Sequence, residues 1–310
     1  MVMDDLIFNE QKEGQDQERP KGFANLINDV TFKKVFACKE TMISFLNEIV
    51  KQPLVTDVTF LNTEAYAGTE DDRMAIFDIA CRGQDGSEFI VEMQCAPQEY
   101  FRDRMLFYAC YPILRQPRLL KDAYSQEHGN VCGFRWNYKL KPVMVIAITN
   151  FAIKHNSVWP RDKYLSSFHI VEDDMCEKMT DNLRFIFIEL GRFSKTLGEL
   201  RTLTDKWTYL FKNLKTMKER SEEFNEKDFD LLFDYANFAK FTAVELELYK
   251  TKEKMKYDYQ NTLDYAEKKG RADGRSEEKL ENARSLKERG VSLEIISEAL
   301  GLPIETVREL

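Results

Sequence analysis

The sequence predicts an α/β fold: a mixed sheet flanked by helices, with a helical extension at its C-terminal end. Three observations lead there. Apolar residues at helical spacing (Phe32, Val35, Phe36) are followed by β-rich runs at 55–61, 74–82 and 88–95. A helical stretch at about 98–120 and two short apolar runs, 141–149 and 183–189, come next. From about Lys195 the spacing is helical throughout. The order helix, three strands, helix, strand calls for an α/β or α+β layer around a mixed sheet.

Each element has a local reason. Asn28 is a good N-cap for the first helix, and Thr41 opens a second helical stretch with Ile43, Leu46, Ile49 and Val50 apolar. Residues 68–72 read as a loop. The runs 74–82 and 88–95 flank the turn cluster Gly83-Gln84-Asp85-Gly86, which makes them a hairpin. Pro97 ends it, and Pro112 is expected to interrupt the helix that follows. The run 141–149 suits a sheet interior. Leu197, Leu200, Leu203, Trp207, Leu210 and Leu214 repeat every three or four residues, and 229–249 reads as one further helix. In 252–290, 20 of 39 residues are charged, with Gly270, Gly274 and Gly290 as punctuation. The last 19 residues form two short amphipathic segments around Gly301-Leu302-Pro303, read as a helical hairpin docked on a neighbour, with a small helix-turn-helix as the rival reading. The expected organisation is therefore a flexible acidic tail at 1–20, a main domain at 21–194, a helical part packed on it at 195–250, and a charged helical tail at 251–310.

Composition narrows the function. A chain of 310 residues with 43% hydrophobic content can bury a real core and is not disordered. The acidic start MVMDDLIFNE lacks the pattern of a signal peptide, and no apolar run is long enough to span a bilayer, so a cytoplasmic protein is expected. The six cysteines (38, 81, 95, 110, 132, 176) include no Cys-x-x-Cys pair, and there are three histidines, which argues against a zinc framework. Most of these thiols are expected reduced and buried. With histidine scarce, catalysis would rest on carboxylates and a metal. The net charge of −8 disfavours general attraction to nucleic acid. Residues 102–141 nevertheless carry eight Lys/Arg against three acids, a local phosphate-binding surface or a solvated helix face.

The hairpin carries the chemistry. Phosphodiester hydrolysis needs an activated water and a neutralised phosphate, and a hard divalent cation held by two or three carboxylates supplies both. Glu92 and Gln94 lie two apart on one strand, so they share a face, roughly 7 Å from each other. Phe89, Val91, Met93 and Cys95 take the other face. Asp78 lies on the preceding strand, and its partner depends on the turn. A two-residue turn would set it opposite Met93. A three-residue loop, Gln84-Asp85-Gly86 with Gly86 left-handed, sets it opposite Glu92, and this second register is the one expected. Two facing carboxylates repel, and a cation between them would remove that cost.

The segments NDVTFKKVF (28–36), SFLNEIV (44–50), FDIACRGQDGSEFIVEMQ (77–94) and QEYFRDRMLFYA (98–109) resemble the recombination-promoting nuclease/putative transposase family of the PD-(D/E)XK nuclease superfamily. The resemblance covers about residues 22–190 and, more loosely, the polar helical tail. It implies the αβββαβ restriction-endonuclease-like core. It also implies Asp78 and Glu92 as metal ligands for Mg²⁺ (or Mn²⁺) and Gln94 at the superfamily's lysine position. Phe77 stands where the superfamily motif has proline. Glutamine cannot bring positive charge to the phosphate, but it can orient water. Asp29 matches the acid of the family's D-x-x-F-K pattern and is a further candidate metal ligand, or else a first-turn acid stabilised by the helix dipole.

Arg104 and Tyr108 share a helix face. Arg104 is a candidate for gripping phosphate or for an ion pair within the site. Arg102, Lys33 and Tyr108 are further candidates for substrate binding.

The expected activity is a divalent-metal-dependent DNA endonuclease, linked through the resemblance to recombination or mobile DNA. The alternative is a catalytically weak or inactive nuclease-fold protein acting as a DNA- or protein-binding module. A third reading, a DNA-binding regulator, would act through 291–310. DNA is the expected partner, and the C-terminal helical region is a candidate homodimer surface, although its apolar seam is sparse.

Overall fold

The computed structural model describes residues 19–62, 77–129, 131–155 and 158–310. Its contacts divide the chain into two compact units, one ending at Tyr249 and one spanning Lys250–Leu310. The expected tail at 1–20 (all but its last two residues) and the loop at 68–72 lie outside the described residues.

The first unit is a six-stranded mixed sheet between helical layers. Its elements are α1 (Asp29–Phe36), α2 (Lys39–Val50), β1 (Val58–Phe60), β2 (Ile79–Gly83), β3 (Glu88–Gln94), α3 (Phe101–His128), β4 (Val143–Thr149), β5 (Leu165–Phe168), β6 (Leu183–Glu189), α4 (Leu203–Asn213) and α5 (Asp230–Ala236). The strand order is β1-β2-β3-β4-β6-β5. The β3, β4 and β6 strands run parallel; β1, β2 and β5 are antiparallel to their neighbours. All seven residues of β4 are buried, as expected for a central strand covered on both faces.

Alternation along β4 divides the core. Met144, Ile146 and Ile148 join Phe89, Val91, Ile186 and Ile188 in the cluster beneath α1, α2, α4 and α5. Val143, Val145 and Ala147 join Ala80, Ile90 and Phe187 beneath α3. In the first layer Trp207 is fully buried among Phe36, Phe45, Phe211 and Phe229, with ring centroids 5.1–6.4 Å away. In the second, α3 lays Phe101, Met105, Ala109, Pro112 and Gln116 along the sheet, one buried residue per turn.

Several sequence expectations are corrected. The α3 helix starts at Phe101 rather than near 98 and runs uninterrupted through Pro112 and Pro117. Each proline removes one backbone donor, but the stripe packed on the sheet outweighs that loss. The run 229–249 is broken: α5 ends at Ala236, Asn237 caps a 3-10 turn at Phe238–Lys240, and α6 (Ala243–Glu288) begins beyond it. The β5 edge strand was not anticipated. Only Cys81 is buried; Cys110, Cys132 and Cys176 are exposed.

The second unit holds the remainder of α6, α7 (Leu293–Leu300) and α8 (Ile304–Glu309). The α6 helix passes through Gly270 and Gly274 without a break and stops before Gly290. Gly290 and Gly301 take φ +82° and +61°, left-handed values that end α6 and α7 at low cost. Ala283, Ile296 and Val307, one from each helix, form a small core with Leu286, Leu293 and Leu300 around it.

Candidate active site

The site is assembled at the C-terminal end of β3, on the face covered by α3. Its geometry begins with the hairpin turn. Gly86 has φ +86°, a value that suits glycine, and Gly83 N–H donates to the Ser87 carbonyl at 2.8 Å. The loop is therefore the three residues Gln84-Asp85-Gly86. Asp85 reinforces it by accepting from Ser87 N at 2.9 Å and from Ser87 Oγ at 2.8 Å.

The resulting register pairs Arg82 with Glu88, Cys81 with Phe89, Ala80 with Ile90 and Ile79 with Val91. One further step sets Asp78 opposite Glu92, and the hydrogen bonds agree. Met93 N donates to Asp78 Oδ2 at 2.7 Å, and Asp78 N donates to Glu92 Oε1 at 3.1 Å. Each carboxylate thus accepts a backbone N–H from the opposite strand. Asp78 sits just before β2 begins at Ile79, and residues 74–76 of the expected strand lie outside the described residues.

Burial gives this pair its chemistry. Glu92 is 5% exposed. Burial and the adjacent Asp78 charge push its carboxyl up to about 8. Asp78 is raised by burial as well; the Met93 N–H opposes this and the Asp29 charge adds to it. Two carboxylates held this way at neutral pH share an electrostatic deficit that a cation would relieve.

Asp29 and Lys33 approach from α1. The Asn28 side chain caps this helix by accepting from Val30 N at 3.0 Å. Asp29 forms an ion pair with Lys33 at 2.9 Å. Burial opposes the Lys33 charge, but the Asp29 hydrogen bond and the charges of Asp29, Asp78 and Glu92 raise its pKa. These four groups therefore share one electrostatic neighbourhood. Among the described residues no three Asp, Glu, His or Cys side chains are gathered tightly enough to hold a metal by themselves. The acids gathered here are the Asp78–Glu92 pair, with Asp29 outlying.

Arg104 and Gln94 close the other side. Gln94 Oε1 accepts from Arg104 Nη2 at 2.6 Å, and Gln94 Nε2 donates to the Ala96 carbonyl at 2.8 Å. Arg104 Nη1 donates to Gln98 Oε1. The guanidinium lies 5.6 Å from the ring centres of both Phe101 and Tyr108, and its Nε is buried with no hydrogen-bond partner among the described residues. Arg104 is thus held by two neutral amides, and its charge stands beside Asp78 and Glu92 without neutralising either by contact. Tyr108 packs edge-on against Phe77 at 5.0 Å. Burial and the Glu92 charge raise the pKa of its hydroxyl.

The sequence candidates therefore separate. Asp78, Glu92, Gln94, Arg104, Tyr108, Asp29 and Lys33 come together. Arg102 does not: its Nη2 donates to the Lys154 carbonyl at 3.0 Å and meets His155 Nδ1 at 2.9 Å. The basic stretch 102–141 also splits. Arg115 binds the buried Glu88 at 2.6 Å, and Arg82 binds the same carboxylate at 3.0 Å. Glu88 lies four strand residues from Glu92, about 13 Å away, so Arg115 is committed to a structural ion pair. Two contributors were missed. Gln98, which clamps Arg104, precedes the helix and shows no periodic signal. Phe77, 1% exposed, forms the floor under Tyr108.

The chain belongs to the PD-(D/E)XK nuclease family transposases: that family's model matches residues 26–266. The match extends past the sheet to take in α4, α5 and the first part of α6. Membership implies a nuclease or mobile-DNA role with DNA as substrate. No curated protein and no solved structure matches the chain. No helix among the described residues is long and apolar enough to cross a membrane.

Proposed function

We propose that this protein is a divalent-metal-dependent DNA endonuclease, acting in recombination or on mobile DNA. The observation that carries this is the Asp78–Glu92 pair, a half-buried and a buried carboxylate aligned across one hairpin, both raised in pKa by burial, Glu92 also by the Asp78 charge and Asp78 also by the Asp29 charge. A donor set of hard oxygens suits Mg²⁺ or Mn²⁺. Asp78 and Glu92 would hold the ion, with Asp29 as a third acid once its pairing with Lys33 loosens. When bound, such a cation supplies positive charge beside the phosphate and makes water more acidic.

The chain's own groups do the rest. Arg104 presents a fixed positive charge beside the pair, suited to a phosphate oxygen. Gln94 fixes Arg104, and its Oε1 retains a second lone pair with which to orient water. Lys33 brings charge from the α1 side. Tyr108 keeps its proton, because burial and Glu92 disfavour the phenolate, so it can donate a hydrogen bond to substrate.

The test is plasmid nicking in Mg²⁺ by wild type and Asp78→Ala. The expected result is cleavage by wild type and a loss of roughly a hundredfold or more in the variant. Equal activity in both would refute the site. The second reading, a binding module of the same fold, is favoured by Gln94 at the superfamily's lysine position and by the net charge of −8. It requires that Mn²⁺ raise the melting temperature of wild type no more than that of Asp78→Ala, since a ligand stabilises only the state that binds it.

A further inference from the structure

Beside the carboxylate pair, on the solvent side of α3, lies a pocket of about 550 Å³ lined by Gln98, Glu99, Tyr100, Asp103, Arg104, Phe107 and Tyr108. Its volume falls within the ~300–1,000 Å³ typical of small-molecule sites. It joins the active site through Arg104 and Tyr108. Two of its walls are aromatic and unusually open: Tyr100 is 68% exposed and Phe107 48%. Nothing in the site described so far uses them.

Phe107 is fixed in place. It meets Tyr111 edge-on at 5.1 Å, Tyr111 meets Phe77 at 6.3 Å, and Phe77 is buried beneath Tyr108. This chain of rings runs from solvent into the core, so the exposed face loses little freedom when something stacks on it. Charge then says what can enter. Glu99 and Asp103 stand on the rim, and Arg104, the only cation among the described lining residues, is already held by Gln94 and Gln98. A phosphate would meet two carboxylates here. A nucleobase would meet aromatic faces, and carboxylates able to accept from its ring and exocyclic N–H groups. In continuous duplex the base faces are already stacked and paired, so the entrant has to be unpaired.

We infer that Tyr100 and Phe107 form a stacking shelf for an unpaired nucleobase next to the Asp78–Glu92 pair, so the preferred substrate is single-stranded, looped or flapped DNA. The inference rests on the nuclease reading for its choice of ligand, and its test reads binding instead of cleavage. The full chain carrying Asp78→Asn, which blocks hydrolysis, is titrated against a short fluorescein-labelled oligonucleotide. The probe is presented single-stranded and as its duplex, at one salt concentration, with fluorescence anisotropy as the readout. The single strand is expected to bind at least about tenfold more tightly. Adding Tyr100→Ala and Phe107→Ala should weaken single-strand binding by about 10- to 100-fold and leave duplex binding unchanged. Tyr100→Phe with Phe107→Trp should retain it. Both positions are exposed, so the variants should melt as the parent does.

Equal affinity for the two forms would overturn the shelf, and so would single-strand affinity indifferent to the double alanine variant. A change in oligomeric state with unchanged DNA binding would also overturn it, because the rings would then seat another copy. The two readings fail separately. Stacking-dependent binding without Mg²⁺ cleavage by wild type leaves the shelf and removes the nuclease. Cleavage with an indifferent double variant does the reverse.

Discussion

Arg104 donates one guanidinium arm to Gln94 Oε1 at 2.6 Å and the other to Gln98, so a cation beside Asp78 and the buried Glu92 is anchored by two neutral amides. A carboxylate anchor in place of either glutamine would absorb much of that positive charge. The amide pair fixes direction and leaves the charge to act on whatever enters the site.

Arg104→Lys follows directly. A lysine cannot span both glutamine oxygens, so the charge survives but its position is lost. Cleavage efficiency should fall by about 10- to 100-fold, the usual effect of disturbing groups that support a metal centre. Gln98→Ala removes only one anchor and should cost less. Steady-state kcat/KM on plasmid in Mg²⁺ checks the ranking; a Gln98→Ala defect larger than that of Arg104→Lys would contradict it.

The acid pair makes stability depend on pH. The folded-state pKa of Glu92 lies at about 8, above its usual 4.5, and Asp78 is raised too. The native state therefore holds more protons than the unfolded chain between those values. In chelator, stability should be fully present below about 4.5 and decline as pH rises through about 8. Melting curves in EDTA across this window should slope downward for wild type and much less for Glu92→Gln. Mn²⁺ should flatten the wild-type slope. Identical slopes for wild type and variant in EDTA would contradict the assignment.

Glu88 is 3% exposed and paired with both Arg82 and Arg115. Glu88→Ala should lower unfolding stability by about 3 kcal/mol, because two guanidinium groups lose their shared anion in a poorly solvated place. Arg82→Ala should cost less, since Arg115 still neutralises the carboxylate. Urea unfolding measures both.

In the second unit, Ile296 is fully buried between Ala283 and Val307. Ile296→Asp should open that small core. Hydrogen exchange should quicken in α7 and α8 and stay slow in β3 and β4. Uniformly faster exchange throughout would refute an independent second core.

The hairpin was legible because turn chemistry fixes register: Gly86 selects a three-residue loop, and the loop decides which face Asp78 takes. The cap at Asn28 and the strands at 143–149 and 183–189 were legible from equally local signals. Other features were hidden for physical reasons. Leu165–Phe168 is a short edge strand with two serines and has little β signature. Pro112 suggested a break, yet burial of the α3 stripe holds the helix together. The apolar spacing of 229–249 concealed the cap at Asn237. Arg102 and Arg104 looked equivalent in sequence, and only packing showed that one faces His155 and the other Glu92. The pairing of Glu88 with Arg115 joins residues 27 apart and leaves no periodic trace.

The turn at Gln84–Gly86 also bears on how this protein can diverge. Surface loops ordinarily absorb insertions and deletions without harm. Here, adding or removing one residue would shift β2 against β3 by a single step and carry Asp78 to the far side of the sheet. Every side chain of the site would still be encoded, but Ile79, Ala80 and Cys81 would also exchange faces. A length change distant from the acids would thus separate the carboxylate pair on which the proposed hydrolysis depends.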